Sequence, residues 1–223
     1  MRVDIITCLP HLLASPLNHF IFQRALKKNL LTLEIHNLRD YTPYKHGKID
    51  DQPYGGDAGM VLMIEPIVNC IRALQQQRNY DQVIYMAPDG KLLNQSLVNS
   101  CSLYQNLILL CGHYKGIDER IREHFVTLEI SIGDYVLSGG ELPAIILLDA
   151  MVRVMPGALS DGSSALTDSF QEEGVAPPVY TRPYDYEGIK VPDILLSGNH
   201  QAIQKWQEEQ ALLRTQEKRG TNY

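Results

Sequence analysis

The sequence has few of the residues that build disulfide frameworks or metal centres. Its 223 residues include four cysteines and seven histidines, and these form neither a CxxC pair nor an HExxH pattern. The cysteines lie far apart inside apolar segments, at Cys8, Cys70, Cys101 and Cys111. We therefore expect buried free thiols, and neither a disulfide-stapled fold nor a transition-metal enzyme.

Long hydrophobic runs are also missing. No apolar stretch approaches the roughly 18 to 20 residues that cross a bilayer. The short apolar run in MRVDIITCLPHLL is interrupted by Asp4 and Pro10 and lacks a small-residue cleavage pattern. The expectation is a cytoplasmic protein without a membrane partner.

The sequence also has no excess of positive charge. The net charge is −6 and the pI is near 5.6, which argues against a protein that holds nucleic acid by bulk electrostatics. If the substrate is RNA, recognition must therefore be local. Basic residues do cluster in two places, at Arg24, Lys27, Lys28, Arg39, Lys45 and Lys48, and again at Arg214, Lys218 and Arg219.

What the sequence does contain is an alternation of strand and helix patterns over residues 1–156. The apolar runs predict strands at 3–8, 31–35, 82–86, 106–111 and 126–130. The helical patterns begin at Ser15-Pro16, at Pro66 and near residues 94, 117 and 141. Such alternation predicts an α/β fold with a mostly parallel sheet covered on both faces.

Two polar stretches interrupt this pattern. Residues 36–60 are too long for an ordinary connection, which favours a functional loop. Residues 157–175 are small, polar and acidic, and they predict an interdomain linker. The linker would separate a domain at 1–156 from a small, mainly helical domain at 176–223. The clearest element of the small domain is a helix opened by Asn199, with Ile203, Trp206 and Leu213 near one face.

Three consecutive predicted strands end in segments suited to a ligand. These segments read YMAPDG at 85–90, GHYKG at 112–116 and SIGDYVLSGG at 131–140. In an open α/β sheet, ligands bind outside the carboxyl ends of the strands, so the three segments could line one pocket. Their glycines could equally serve only to make tight turns. Neither GxGxxG nor GxxxxGK[ST] is present, which disfavours the nucleotide cofactors that use those motifs.

The segment CGHYKGIDER, followed by SIGDYVLSGGELPA, closely resembles the TrmD family of tRNA (guanine-N1)-methyltransferases. Four further blocks match in order: DDQPYGGDAGM, TDSF, YTRP and VPDILLSGNH. The resemblance covers nearly the whole chain. It implies a SPOUT-type α/β domain with a deep trefoil knot, acting as a homodimer with active sites at the interface. The implied reaction is methylation of N1 of the guanosine at tRNA position 37, with S-adenosylmethionine as methyl donor.

The resemblance also implies which residues bind the cofactor. The three ligand segments would hold bent S-adenosylmethionine, with backbone groups of Ile132, Tyr135 and Leu137 hydrogen-bonded to adenine and Pro143 in the pocket wall. The full implied set is Tyr85, Met86, Ala87, Pro88, Gly112, Tyr114, Gly116, Ser131, Ile132, Gly133, Tyr135, Leu137, Gly139, Gly140 and Pro143.

Two further residues match the catalytic positions of the family. Asp168 would be the base that removes the proton from guanine N1, and Arg153 would be the cation near guanine O6. The small domain at 176–223 would bind the anticodon stem-loop of tRNA, where splayed bases can be read edge-on. The residues implied for that contact are Arg182, Asn199, His200 and Arg214.

The chain departs from the family pattern at two places. Lys115 occupies a position where many relatives carry glutamate, which would suit magnesium or the methionine ammonium. A lysine disfavours a magnesium ion there, and no residue is predicted to bind a metal. The chain also stops at Tyr223, earlier than many relatives, which shortens the predicted tRNA-binding domain.

Two other interpretations stay open. One is a SPOUT methyltransferase that acts on a different RNA, for instance at a ribose hydroxyl, a reaction that does not require an aspartate beside a guanine edge. The other is a non-catalytic RNA-binding module that keeps the fold. The presence of both Arg153 and Asp168 argues against the second.

Overall fold

The structure of the protein, a computed structural model, describes residues 1–159, 168–170 and 174–220. The chain divides into two compact units, Met1–Ser160 and Asp161–Tyr223. Much of the predicted linker at 157–175, including Thr167 of the TDSF block, lies outside the described residues.

Over residues 1–159, the first unit contains seven strands and six α-helices. The strands are β1 (Arg2–Thr7), β2 (Thr32–Asn37), β3 (Asp50–Asp51), β4 (Val61–Leu62), β5 (Gln82–Leu92), β6 (Asn106–Cys111) and β7 (Leu128–Ser131). The helices are α1 (Pro10–Leu17), α2 (Phe20–Lys27), α3 (Ile64–Gln75), α4 (Gln95–Ser102), α5 (Glu119–His124) and α6 (Glu141–Val154). Two 3-10 helices, Leu38–Tyr41 and Lys45–Gly47, and β3 lie within the predicted loop at 36–60.

A five-stranded parallel sheet forms the centre of this unit, in the order β2-β1-β6-β5-β7. Alternate side chains of each strand point to opposite faces, so Leu109 of β6 packs in one core and Leu110 in the other. Helices α1, α2, α4 and α6 cover the first face, and α3 and α5 cover the second. The predicted α/β fold with a covered parallel sheet is confirmed.

The prediction that the first helix begins at Ser15-Pro16 is wrong. Helix α1 begins at Pro10, which lies in its first turn, and Pro16 lies inside the helix near its end. Proline cannot donate a backbone hydrogen bond, and either proline is compatible with a helix start when only the sequence is considered. The chain leaves the helix after Leu17, and α2 begins at Phe20.

Strand β5 is longer than predicted, because its pairing with β7 resumes after an irregularity between Met86 and Lys91. Gly90 makes this second stretch possible. A β-carbon at Gly90 would lie 2.6 Å from the backbone nitrogen of Ile130. The strand predicted at 82–86 therefore continues irregularly to Leu92, through the remainder of the segment at 85–90.

The second unit contains a short hairpin, β8 (Asp185–Tyr186) and β9 (Ile189–Lys190), a 3-10 helix at Asp193–Leu196, and α7 (His200–Arg219). The side chain of Asn199 accepts a hydrogen bond from the backbone nitrogen of Ala202 at 3.2 Å, which confirms the predicted helix cap. Ile203 and Trp206 are half-buried, but Leu213 is 56% exposed. The predicted apolar face of α7 therefore ends before Leu213.

All four cysteines are free and buried, as predicted. Within the described ranges, no helix combines the length and the apolar character needed to span a bilayer.

Candidate active site

A cavity of about 340 Å³ lies beside the irregular middle of β5 and the carboxyl ends of β6 and β7. Each residue that the resemblance implied for cofactor binding lines this cavity. The structure thus brings together three segments that are far apart in the sequence, because the parallel strands before them end at the same edge of the sheet. It adds four lining residues from outside the three predicted segments: Ile117, Glu119, Arg122 and Ile130.

An ion-pair cluster supports the β5 side of the cavity. Arg122, from α5, donates to Glu129 at 2.8 and 2.6 Å and to Asp89 at 2.8 Å. The hydrogen bond from Arg122 lowers the pKa of Asp89. The guanidinium also lies 5.7 Å from the ring centre of Tyr85, whose pKa burial raises to about 12. This side of the cavity is therefore held by charge pairing between α5 and two strands.

The segment after β6 is tied to the preceding part of the chain. The backbone nitrogen of Lys115 donates to Met60, and that of Leu62 donates to Gly116, both at 3.0 Å. The aliphatic stem of Lys115 lies across Gly59, where a β-carbon would be 3.0 Å from its Cδ. The DDQPYGGDAGM block at 50–60 and the cavity segment at 112–116 are consequently in direct contact.

The segment after β7 returns to the end of β6. The backbone nitrogen of Gly140 donates to the carbonyl of Gly112 at 2.8 Å. A β-carbon on Gly140 would lie 2.8 Å from Cα of Cys111, although its φ of −84° is open to any residue. Gly140 is therefore required by the close packing of two backbone segments rather than by a left-handed turn.

Comparison with known proteins accounts for this arrangement. Residues 1–222 match the family described as tRNA (Guanine-1)-methyltransferase TrmD. The chain belongs to this family.

Relatives in the TrmD family match over nearly their whole length. A protein of Cytophaga hutchinsonii named tRNA (guanine-N(1)-)-methyltransferase is 60% identical over 223 residues, which is 100% of this chain and 95% of the relative. A protein of the same name from Bacteroides thetaiotaomicron is 58% identical over 219 residues, covering 98% of this chain and 97% of the relative.

The fold is also shared with a solved TrmD structure. The crystal structure of tRNA (m1G37) methyltransferase from Aquifex aeolicus aligns with a TM-score of 0.81 at 38% identity, covering 98% of this chain and 93% of that chain. This confirms the fold class, whereas the trefoil knot implied by the resemblance stays a prediction.

The two residues that match the catalytic positions of TrmD lie in different units. Arg153 is in the last turn of α6, on an exposed face that also carries Leu142, Ile146 and Asp149. It is not among the described residues that line the cavity. Asp168 is half-buried and belongs to the second unit. Their catalytic roles stay predictions.

Proposed function

We propose that this chain methylates N1 of guanosine 37 in tRNA, next to the anticodon, with S-adenosylmethionine as methyl donor. The observation that carries the proposal is a cavity beside the irregular middle of β5 and the carboxyl ends of β6 and β7, lined by every residue implied for cofactor binding. Membership of the TrmD family and relatives named for this reaction support the substrate.

The residues of the cavity fit the proposed cofactor. Apolar side chains at Ile132, Leu137 and Pro143 can pack on an adenine ring, and the backbone groups of the 131–140 segment can hydrogen-bond to its edge. Gly112 and Gly140 keep side chains out of the place where the two segments meet. When bound, S-adenosylmethionine supplies a methyl group on a positively charged sulfur.

Asp168 and Arg153 would assist the transfer at two neighbouring atoms of the guanine, N1 and O6. N1 of guanine holds a proton at neutral pH, so the Asp168 carboxylate would accept that proton as N1 becomes the nucleophile. The Arg153 guanidinium would offset the negative charge that develops at O6. A ribose-methylating enzyme would need neither arrangement.

A homodimer would complete the site. Leu142 and Ile146 are 50% and 47% exposed and share the outer face of α6 with Arg153. Leu12, on the neighbouring helix α1, is also exposed. Apolar side chains at helical spacing favour burial against a second copy of the chain, and such a contact would carry Arg153 to the cavity of the partner.

The second unit would bind the anticodon stem-loop. Arg182, Asn199 and His200 are exposed at its surface, and Arg214 is half-buried on α7. Because the net charge of the chain is −6, these few groups rather than an overall positive potential would have to position the RNA.

The test is methyl transfer from labelled S-adenosylmethionine to an anticodon stem-loop that carries guanosine at position 37. We expect 1-methylguanosine on nucleoside analysis and no label in a matched RNA with adenosine at that position. A 2′-O-methyl product would favour the ribose-methylating alternative. RNA binding without transfer, together with no calorimetric signal for S-adenosylmethionine at millimolar concentration, would favour the non-catalytic module.

A further inference from the structure

Two buried polar atoms beside the cavity lack a hydrogen-bond partner within the described part of the chain, namely Nδ1 of His113 and Oε2 of Glu141. Both atoms lie against Gly139. A β-carbon on that glycine would be 2.9 Å from Nδ1 and nearer still to Oε2. Sγ of Cys8, one ring nitrogen of His113 and one carboxylate oxygen of Glu141 are all within 4.8 Å of one another. The imidazole and the carboxylate therefore meet over the α-carbon of Gly139.

Glu141 is the first residue of α6, and it is only 1% exposed. Its Oε1 accepts a hydrogen bond from the hydroxyl of Thr7, at the end of β1, at 2.6 Å. The N-terminus of a helix favours a carboxylate. A buried carboxylate is nevertheless unfavourable unless both oxygens are satisfied, so Oε2 requires a donor.

Cys8 and His113 are the side chains of this cluster that could donate to Oε2. Burial, with a further contribution from the charge of Glu141, raises the pKa of the Cys8 thiol to about 11, so the thiol stays neutral and is a weak donor. An imidazole nitrogen that carries hydrogen is a stronger donor. His113 is therefore the better partner for Glu141.

His113 is also placed where two cavity segments join. It forms an isolated antiparallel bridge with Gly139. Its ring contacts the ring of Tyr114 edge-on, with 4.6 Å between centroids. Tyr114 lines the cavity with a φ of 60°, a left-handed conformation that a side-chain-bearing residue keeps only when its surroundings hold it.

We propose that His113 is a positioning residue whose Nδ1–H binds Oε2 of Glu141 across Gly139 and thereby holds the 112–116 segment against the start of α6. A small side-chain rotation would bring the two atoms to hydrogen-bond distance. The contact would hold Tyr114 and the cavity in the shape that receives S-adenosylmethionine. This inference rests on the proposed function.

The test compares three substitutions of His113 by calorimetric titration with S-adenosylmethionine. His113→Asn keeps a donor near the position of Nδ1, His113→Gln moves the donor outward, and His113→Leu removes it. We expect the leucine variant to bind about tenfold more weakly or worse, as for the loss of a hydrogen bond to a charged group. The asparagine variant should stay within about threefold of the wild type.

The outcomes separate this inference from the proposed function. No binding by the wild-type protein would overturn both. Wild-type binding with equal affinity in the leucine variant would overturn only the role of His113. If the leucine variant does not fold, the test compares the S-adenosylmethionine affinities of the asparagine and glutamine variants. Equal affinities for those two would contradict the proposed contact with Glu141.

A metal ion is the competing explanation for the cluster, since thiolate, imidazole and carboxylate can together hold zinc. Elemental analysis of the purified protein and titration with Zn²⁺ address it, with Cys8→Ser as the matched control. Stoichiometric zinc in the wild type that is lost in Cys8→Ser would overturn the proposal, because a metal-bound Nδ1 has no hydrogen to donate.

Discussion

The two units of the chain differ most in how much they bury. In the first unit, helices cover both faces of the sheet, and side chains such as Ile5, Ile84 and Leu109 have no exposed surface. In the second unit, Thr215 is the only residue that is buried, counting the described positions. The packed sheet of the first unit can hold a cavity in one shape. The second unit buries few side chains, so most of its polar groups stay available to a partner.

Polar contacts contribute much of the internal structure of the second unit. The hydroxyl of Thr215 accepts from the backbone nitrogen of Val175 at 2.9 Å and donates to the carbonyl of Ala211 at 2.8 Å. The guanidinium of Arg219 lies 5.0 Å from the ring centre of Phe170. Trp206, the single tryptophan of the chain, lies in this unit, so its fluorescence reports on the second unit alone.

The largest expected difference between the two units is a loss of methyl-transfer rate without a loss of cofactor affinity. Asp168→Asn keeps the shape of the side chain but cannot accept the proton, so we expect single-turnover methyl transfer to fall by about 10² to 10⁴, or 3 to 5 kcal/mol. Affinity for S-adenosylmethionine, a property of the first unit, should be unchanged. Glu209→Gln, which removes a charge elsewhere in the second unit, is the control and should transfer at the normal rate. A near-normal rate for Asp168→Asn would exclude it as the base.

The next largest effect concerns burial. Leu109→Ala removes a fully buried side chain from the centre of the sheet and should cost about 2 to 5 kcal/mol in the free energy of unfolding. Leu213→Ala, at a position that is 56% exposed, should change it by less than about 0.5 kcal/mol. Urea unfolding followed by circular dichroism and by Trp206 fluorescence measures both. If Leu109→Ala shifted the unfolding midpoints measured by circular dichroism and by Trp206 fluorescence equally, the two units would unfold together. They would then not differ in stability.

The two units should also differ in how their stability depends on acid pH. Burial would raise the pKa of Asp4, but hydrogen bonds from His36, Arg2 and Tyr80 outweigh it and lower this pKa from 3.8 to about 2. Since the folded state has the lower pKa, the carboxylate stabilises the fold at pH values above 3.8, and this contribution is lost as the pH falls from 3.8 towards 2.

We expect this acid-dependent loss in the first unit to amount to about 2 kcal/mol. Urea unfolding across the acid range should show a slope that Asp4→Asn flattens. Asp185→Asn in the second unit, where the carboxylate forms an exposed ion pair with Lys190 at 4.0 Å, should leave the slope unchanged. An unchanged slope in Asp4→Asn would assign the acid sensitivity to other groups.

The smallest effect compares the same helix cap in the two units. The side chain of Asn94 accepts from the backbone nitrogen of Leu97 at 2.9 Å, and that of Asn199 accepts from Ala202 at 3.2 Å. Alanine at either position should cost about 1 kcal/mol. We expect Asn94→Ala to shift the circular dichroism transition and Asn199→Ala to shift that of Trp206 fluorescence. If Asn94→Ala shifted the Trp206 fluorescence transition, or Asn199→Ala shifted the circular dichroism transition, the cap would stabilise more than its own unit.

Sequence patterns located the strands of the sheet well, because a buried parallel strand is a short apolar run that stands out from polar surroundings. They failed where two local signals competed, as at Pro10 and Pro16, and where a strand continues through residues with low strand preference, as in β5 beyond Met86. The ion pairs of Arg122 with Glu129 and Asp89 escaped detection, since no periodic pattern links a helix to two strands.

By itself, the sequence determined the α/β class, the cap at Asn199, the three segments that line one cavity and, through ordered blocks, the family. Each of these depends on residues that are close together along the chain or on the identity of short motifs. Only the tertiary structure decided that Gly140 must lack a side chain beside Cys111, and that His113 meets Glu141 over Gly139. These contacts depend on the strand order β2-β1-β6-β5-β7. In that order, the segment after β7 returns to the end of β6. No local sequence pattern encodes the order of the strands.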